Sequence, residues 1–161
     1  MKNGILSVLE EGNELLKKGY EDGELYEMMA NSYFQLRKFK KAKEFYLRTY
    51  WTKGIVRLEV FHLHSIGRCH GYLEIKGKIL RYKPNVQLSH ARKWRFSQIL
   101  EINFKKSGFS PISKKAVEIH YLTVEGKKKK ERFVSIFEDT SADEQLIADL
   151  LNKLIIRGGN K

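Results

Sequence analysis

Cysteine is almost missing from this chain: Cys69 stands alone among 161 residues. A single cysteine closes no intrachain disulfide, so packing must hold the fold. A reducing compartment fits, and a bridge between two chains is the one disulfide left open. Long apolar runs are missing too. No stretch approaches the ~20 residues of a membrane-spanning helix. In the N-terminal MKNGILSVLEEGNELLKK, only the five residues Ile5 to Leu9 precede a pair of glutamates. That is too short for the apolar core of a signal peptide. A cytoplasmic protein, with peripheral attachment to a membrane as the variant, is expected. No catalytic constellation is readable either, and no enzyme and no cofactor are expected.

Acidic residues are in short supply: 19 Asp and Glu face 31 Lys and Arg, a net charge of +12. The imbalance is uneven. Residues 1–54 carry ten basic against eight acidic side chains, and residues 55–161 carry 21 against 11. The C-terminal part therefore holds most of a field that attracts anionic lipid, nucleic acid or an acidic protein. With 42% apolar and 12% aromatic residues there is material for a core, so general disorder is excluded. The length suits one mixed domain, or an appendage on a domain of ~100 residues.

The hydrophobic period changes near Gly54. Before it, residues recur at three and four. Ile5, Leu6, Leu9, Asn13 and Leu16 mark a helix over Ile5–Lys18, weakened at Gly12 by up to ~1 kcal/mol and ended at Gly19. Leu25, Met29, Tyr33 and Leu36 mark a second helix over Gly23–Leu36. After a turn at Arg37–Phe39, Ala42, Phe45, Tyr46 and Thr49 mark a third over Lys40–Thr52. Tyr26-x2-Met29-Ala30-x2-Tyr33 followed by Ala42-x3-Tyr46 resembles a tetratricopeptide repeat. Tyr26 replaces its usual tryptophan, Thr49 its usual alanine and Gly54 its closing proline. The resemblance implies that small Ala30 and Ala42 let two helices approach, with tyrosines filling the space between them. One such unit cannot bury its own apolar face. Docking to a protein partner or to itself is expected, through Tyr26, Tyr33 and Tyr46.

After Gly54 the period is two. Val56, Leu58, Val60 and His62 share one face of a strand over Ile55–His64. Further strands are expected at Cys69–Lys76, Ile79–Lys83, Lys93–Phe96, Ile99–Lys105, Ala116–Val124 and Lys130–Phe137. Gly77 turns the second into the third, and Glu125-Gly126 turns the last pair. Thr140 or Ser141, the latter in a capping box with Glu144, should start a final helix whose stripe is Leu146, Ile147, Leu150, Leu151 and Leu154. Gly71-Tyr72-Leu73-x-Ile75, then Ile79-Leu80-x-Tyr82, with Ile99-x-x-Ile102 later, resembles the pleckstrin-homology-like (PH/GRAM) superfamily. That resemblance covers about residues 56–156 and implies a seven-stranded bent barrel capped by the C-terminal helix.

The whole chain reads as α+β: a tetratricopeptide-like hairpin over 1–54 and a PH-like domain over 55–161. It reads as a non-catalytic adaptor whose β part contacts an anionic partner, a membrane lipid or an acidic protein. In lipid-binding relatives, basic side chains of the first two strands and their loop hold the headgroup. The corresponding positions are Arg57, His64, Arg68, Lys76, Lys78 and Arg81, outside the strict lysine–arginine spacing of phosphoinositide binders. Lys127, Lys128, Lys129 and Lys130, expected in the last hairpin loop, extend the basic set. Two alternatives come from other classes. Nucleic acid would need the lysine-rich loops together with Tyr82, Trp94, Phe104 or Phe109 as stacking platforms. A zinc-dependent site would use His62, His64 and Cys69, since alternation puts both histidines on one face and the turn at Gly67 returns the thiol beside them. The stretch Lys105–Lys115, with Pro111, should be a loop, and its Phe109 and Ile112 could form a membrane-inserting tip.

Overall fold

The computed structural model describes residues 2–65, 67–86, 90–106, 115–136 and 141–156. The chain divides into two compact units, Met1–Val56 and Arg57–Lys161.

Three helices make the first unit: α1 (Lys2–Lys17), α2 (Gly23–Gln35) and α3 (Phe39–Lys53). Each boundary has a local cause. Tyr20 N–H donates to the Leu15 carbonyl and Gly19 N–H to that of Leu16. This is a Schellman ending, and it requires the positive φ of 83° that Gly19 adopts cheaply. The Asp22 carboxylate caps α2 by accepting from Glu24 N–H. Gly54 ends α3 with φ 69° and N–H donated to the Tyr50 carbonyl. Between α2 and α3, Ala30 and Ala42 are fully buried, so the helices meet closely. Tyr26, Tyr33, Phe45 and Tyr46 fill the remaining space, with Tyr33 stacked on Phe45 at 5.3 Å between centroids. Tyr46 Oη donates to Asn31 Oδ1 at 2.8 Å, which satisfies its buried hydroxyl.

On α1 the outcome differs from the periodicity. Of its expected stripe only Leu9 is buried; Leu6 is 43% exposed, and the Asn13 amide donates to the Leu9 carbonyl of its own helix. Gly12, expected only to weaken α1, is buried where α1 meets α2. A Cβ there would stand 3.0 Å from Met29 Sδ. The glycine permits the contact.

In the second unit, β1 (Ile55–His64), β2 (Gly67–Lys76), β3 (Ile79–Pro84), β4 (Arg92–Arg95), β5 (Ile99–Lys106), β6 (Lys115–Leu122) and β7 (Lys128–Ser135) form one sheet. Its order is β4-β3-β2-β1-β7-β6-β5, and the registers found are antiparallel. A short 3-10 turn, Phe96–Gln98, separates the two end strands in the chain. Gly77 (φ 55°) and Gly126 (φ 75°) supply the expected tight turns. Helix α4 (Ser141–Leu151), extended by a π-helical stretch Asn152–Ile156, packs on β5, β6 and β7. Its stripe of Leu146, Ile147, Leu150, Leu151 and Leu154 is buried as expected. Each such side chain contributes roughly 1.5–3 kcal/mol through the apolar surface removed from water.

Three expectations need correction or fall outside the described residues. Lys128, Lys129 and Lys130 are strand residues paired with Leu122, Tyr121 and His120, and only Lys127 lies in the hairpin loop. Glu144 accepts from Ser135 N–H, in β7, and the capping box expected with Ser141 rests on a side chain outside the described residues. Thr140, the Ser141 side chain, Phe109, Pro111 and Ile112 lie outside the described residues.

Candidate functional site

Alternation along β1 sends His62 and His64 to the inner face of the sheet. His62 is 1% exposed, its ring stacked on Phe133 at 4.9 Å between centroids and flanked by Tyr82 at 5.1 Å. The inner face of β7 adds Glu131, whose Oε2 lies 2.6 Å from His62 Nε2. Arg92, on β4, donates Nε to Glu131 Oε1 at 2.9 Å, and Tyr121 Oη reaches the same oxygen at 3.4 Å. Burial alone would raise the Glu131 carboxyl. The hydrogen bonds from His62 and Arg92 outweigh it and bring the carboxyl down to about 2. Glu131 is thus a carboxylate that only accepts, so His62 Nε2 carries the donated proton. In the neutral ring the lone pair is then on Nδ1.

That Nδ1 faces sulfur. Cys69 Sγ, brought back by β2, lies 3.9 Å from His62 Nδ1 and 3.0 Å from His64 Nε2. The ligating atoms of all three residues lie within 4.8 Å of one another. Tyr82 Oη donates to the Cys69 carbonyl at 2.8 Å and touches its sulfur at 3.1 Å. Burial, then the neighbouring Cys69, pushes the Tyr82 phenol well above its ordinary range. The His64 ring packs on that of His90 at 4.3 Å. Burial first, then His62 and His90, lowers the His64 pKa and favours its neutral form. His90 Nδ1 is buried without a hydrogen-bond partner.

The outer face is different in character. Cross-strand rows Glu74–Arg81–Lys93, Lys76–Ile79–Arg95 and Tyr72–Lys83 cross β2, β3 and β4, and β1 adds Arg57. Glu74, 2% exposed, lies beneath this layer: Arg57 Nε donates to Oε2 at 2.9 Å and Lys83 Nζ lies 2.8 Å from Oε1. Arg81, directly opposite, has an Nε buried without a partner. One carboxylate thus lies under several cations. Burial opposes its charge, yet Lys83 and Arg57 keep its pKa below the ordinary value. The half-sheet β5–β7 repeats the device with Glu118, 8% exposed at its side chain, which accepts from Lys130 at 2.9 Å and lies 3.2 Å from His120. Beside it Leu100, Glu101, His120, Lys128, Lys129 and Lys130 line an open groove of about 550 Å³.

The predicted residues therefore separate. His62, His64 and Cys69 come together on the inner face. Arg57, Lys76 and Arg81 share the outer face of β1–β3, with Lys78 in the adjoining turn. Arg68 lies over the Phe61 ring at 4.3 Å. Lys127–Lys130 belong to the other half-sheet. Tyr26, Tyr33 and Tyr46 are 2–4% exposed and build the interior of the helical unit. Its surface instead offers Leu6, Leu15, Tyr20, Met28 and Trp51, with Trp51 66% exposed. Lys83, Lys93 and Arg95 were missed as part of the basic face, although strict alternation from Arg81 marks the first. Glu131 and Arg92 were missed as well, and nothing local in the sequence marks them. No protein-family model matches the chain, and no curated protein matches it significantly.

Proposed function

We propose that this protein is a non-catalytic docking module in which a PH-like sheet presents a basic face to an anionic membrane surface. The helical unit, tetratricopeptide-like in its buried Ala30 and Ala42 and its aromatic fill, holds a protein partner or a second copy. The observation that carries this reading is the outer layer of β1–β4. Arg57 and Lys83 hold the buried carboxylate of Glu74, and Lys76, Arg81, Lys93 and Arg95 share its face. The one further carboxylate on the outer face of β1, Glu59, lies 2.7 Å from His70. The excess positive charge there is fixed by strand register, so it stays concentrated on one face. Strand order and the helix packed on β5–β7 support the PH-like reading, and Gly71 gives its opening motif a physical reason. A Cβ at Gly71 would meet the Lys83 carbonyl oxygen at 2.3 Å. The exposed Trp51, Leu6 and Met28 support docking by the helical unit, because an isolated repeat leaves apolar surface uncovered. Nucleic acid is supported less: Tyr82 and Trp94 are in the core and offer no stacking platform.

Flotation with vesicles tests the reading. Binding should require acidic lipid and fall steeply between about 0.1 and about 0.5 M salt. Lys83→Glu with Lys93→Glu should weaken it by about 1 kcal/mol or more per site. Equal flotation with neutral lipid, or at both salt levels, would end the electrostatic membrane reading.

A further inference from the structure

We propose that His62 Nδ1, His64 Nε2 and Cys69 Sγ form a zinc-binding site on the inner face of the sheet, separate from the basic docking face. Two imidazoles and a thiolate are the borderline-soft donors that suit zinc. A tetrahedral ion with bonds of ~2.0–2.3 Å needs its ligand atoms about 3.4–3.6 Å apart. The observed 3.0 and 3.9 Å bracket that separation, and all three atoms fall within 4.8 Å. The two histidine nitrogens, up to 4.8 Å apart, would have to close by about an ångström or more, a movement that falls to the half-buried His64 ring.

Two further features point to a ligand. The first is the support behind His62. Metal-bound histidines usually donate their other N–H to a carboxylate, which fixes the tautomer and aims the lone pair at the ion. Here Glu131 accepts from Nε2, is itself held by Arg92, and leaves Nδ1 facing Cys69. The second is His90. Its Nδ1 is buried with no partner although its ring lies 4.3 Å from that of His64, so an unsatisfied nitrogen adjoins the ring of one ligand. An orphaned buried nitrogen is costly to leave unpaired. Cys69 and His64 are only half-buried, which leaves an ion a path in. On binding, the Cys69 thiol gives its proton to solvent and the sulfur donates an electron pair to the metal; no redox change is involved.

The test uses the full chain, purified without chelator and titrated with zinc alone. One zinc per chain should remain after dialysis. Cobalt in its place should give a thiolate-to-metal charge-transfer absorption that vanishes in the near-isosteric Cys69→Ser. Glu131→Gln should weaken zinc by roughly 10–100-fold without removing a ligand. In the unaltered protein, zinc should slow alkylation of Cys69 and a chelator should restore it, a readout that survives if a variant fails to fold. Substoichiometric zinc, a cobalt spectrum unchanged by Cys69→Ser, or alkylation indifferent to zinc would each overturn the site.

Discussion

Glu74 and Glu118 show how far single residues set the character of this sheet. Each is one carboxylate under a basic layer, buried at the side chain yet ionised because cations close over it. Glu74→Gln removes the acceptor that Arg57 and Lys83 share. Since both partners are about half exposed, water recovers part of the loss, and stability should fall by about 1–3 kcal/mol in denaturant unfolding. The same change removes a negative charge from the basic face, so on the membrane reading proposed above vesicle binding should tighten while stability drops. Opposite signs in the two assays separate the electrostatic role from the structural one. Acid gives a second expectation. The folded pKa values of Glu74 and Glu118 lie below the ordinary 4.5. Their stabilisation is therefore complete above about 4.5 and is lost as pH falls from there through the folded values. The denaturation midpoint should start to decline below about 6.5, where the unfolded chain protonates His64 more readily than the fold does. It should decline more steeply below about 4.5 as Glu74, Glu118 and Glu131 take up protons, with a shallower second decline in Glu74→Gln.

Among the elements, the hairpins were written more plainly than the helix contacts. The period of two placed the strands, because side chains alternate strictly and one face of each strand is buried. Boundaries moved where a turn needs fewer residues than its polar sequence suggests, as with Lys128–Lys130. Four lysines in a row read as a loop, yet β6 lends its partners Leu122, Tyr121 and His120 and the strand continues. Gly71 acts sterically, its missing Cβ making room for the backbone at Lys83 and Pro84. A carbonyl cannot turn aside like a side chain, so Gly71→Ala should destabilise by about 1–3 kcal/mol. Gly12 faces only the flexible Met29 side chain, and the better helix propensity of alanine offsets that contact. Gly12→Ala should leave the thermal midpoint within about 2 °C of the parent. A large loss there would mean that α1 and α2 cannot adjust.

For the molecule as a whole, both units leave large apolar side chains exposed: Leu6, Leu15, Tyr20, Met28 and Trp51 in the helical unit, and Tyr72, Val86, Leu100, Val124 and Ile156 in the sheet unit, where α4 covers β5–β7. The helical unit is the smaller of the two, so the same exposure weighs more heavily on it. Residues 57–161 expressed alone should unfold cooperatively as a monomer. Residues 1–56 at micromolar concentration should self-associate or melt without a sharp transition. Sedimentation and circular dichroism read both. A monomeric, sharply melting helical fragment would remove the need for a partner on that side. No helix among the described residues is long and apolar enough to cross a membrane.

The α+β order, the seven strands, the buried alanines of α2 and α3 and the stripe on α4 were all decided by local pattern. Periodicity, glycine turns and small residues act within a few positions of the chain. Tertiary structure alone decided which polar groups meet. Glu131 is 69 residues from His62, and Arg92 is 39 residues from Glu131. No spacing in the sequence announces that β7 and β4 will place a carboxylate and a guanidinium behind a histidine of β1. His62, His64 and Cys69 stood close enough in the chain to be read together. Their usefulness as a set depends on strand order, which aims the lone pair of His62 at the sulfur.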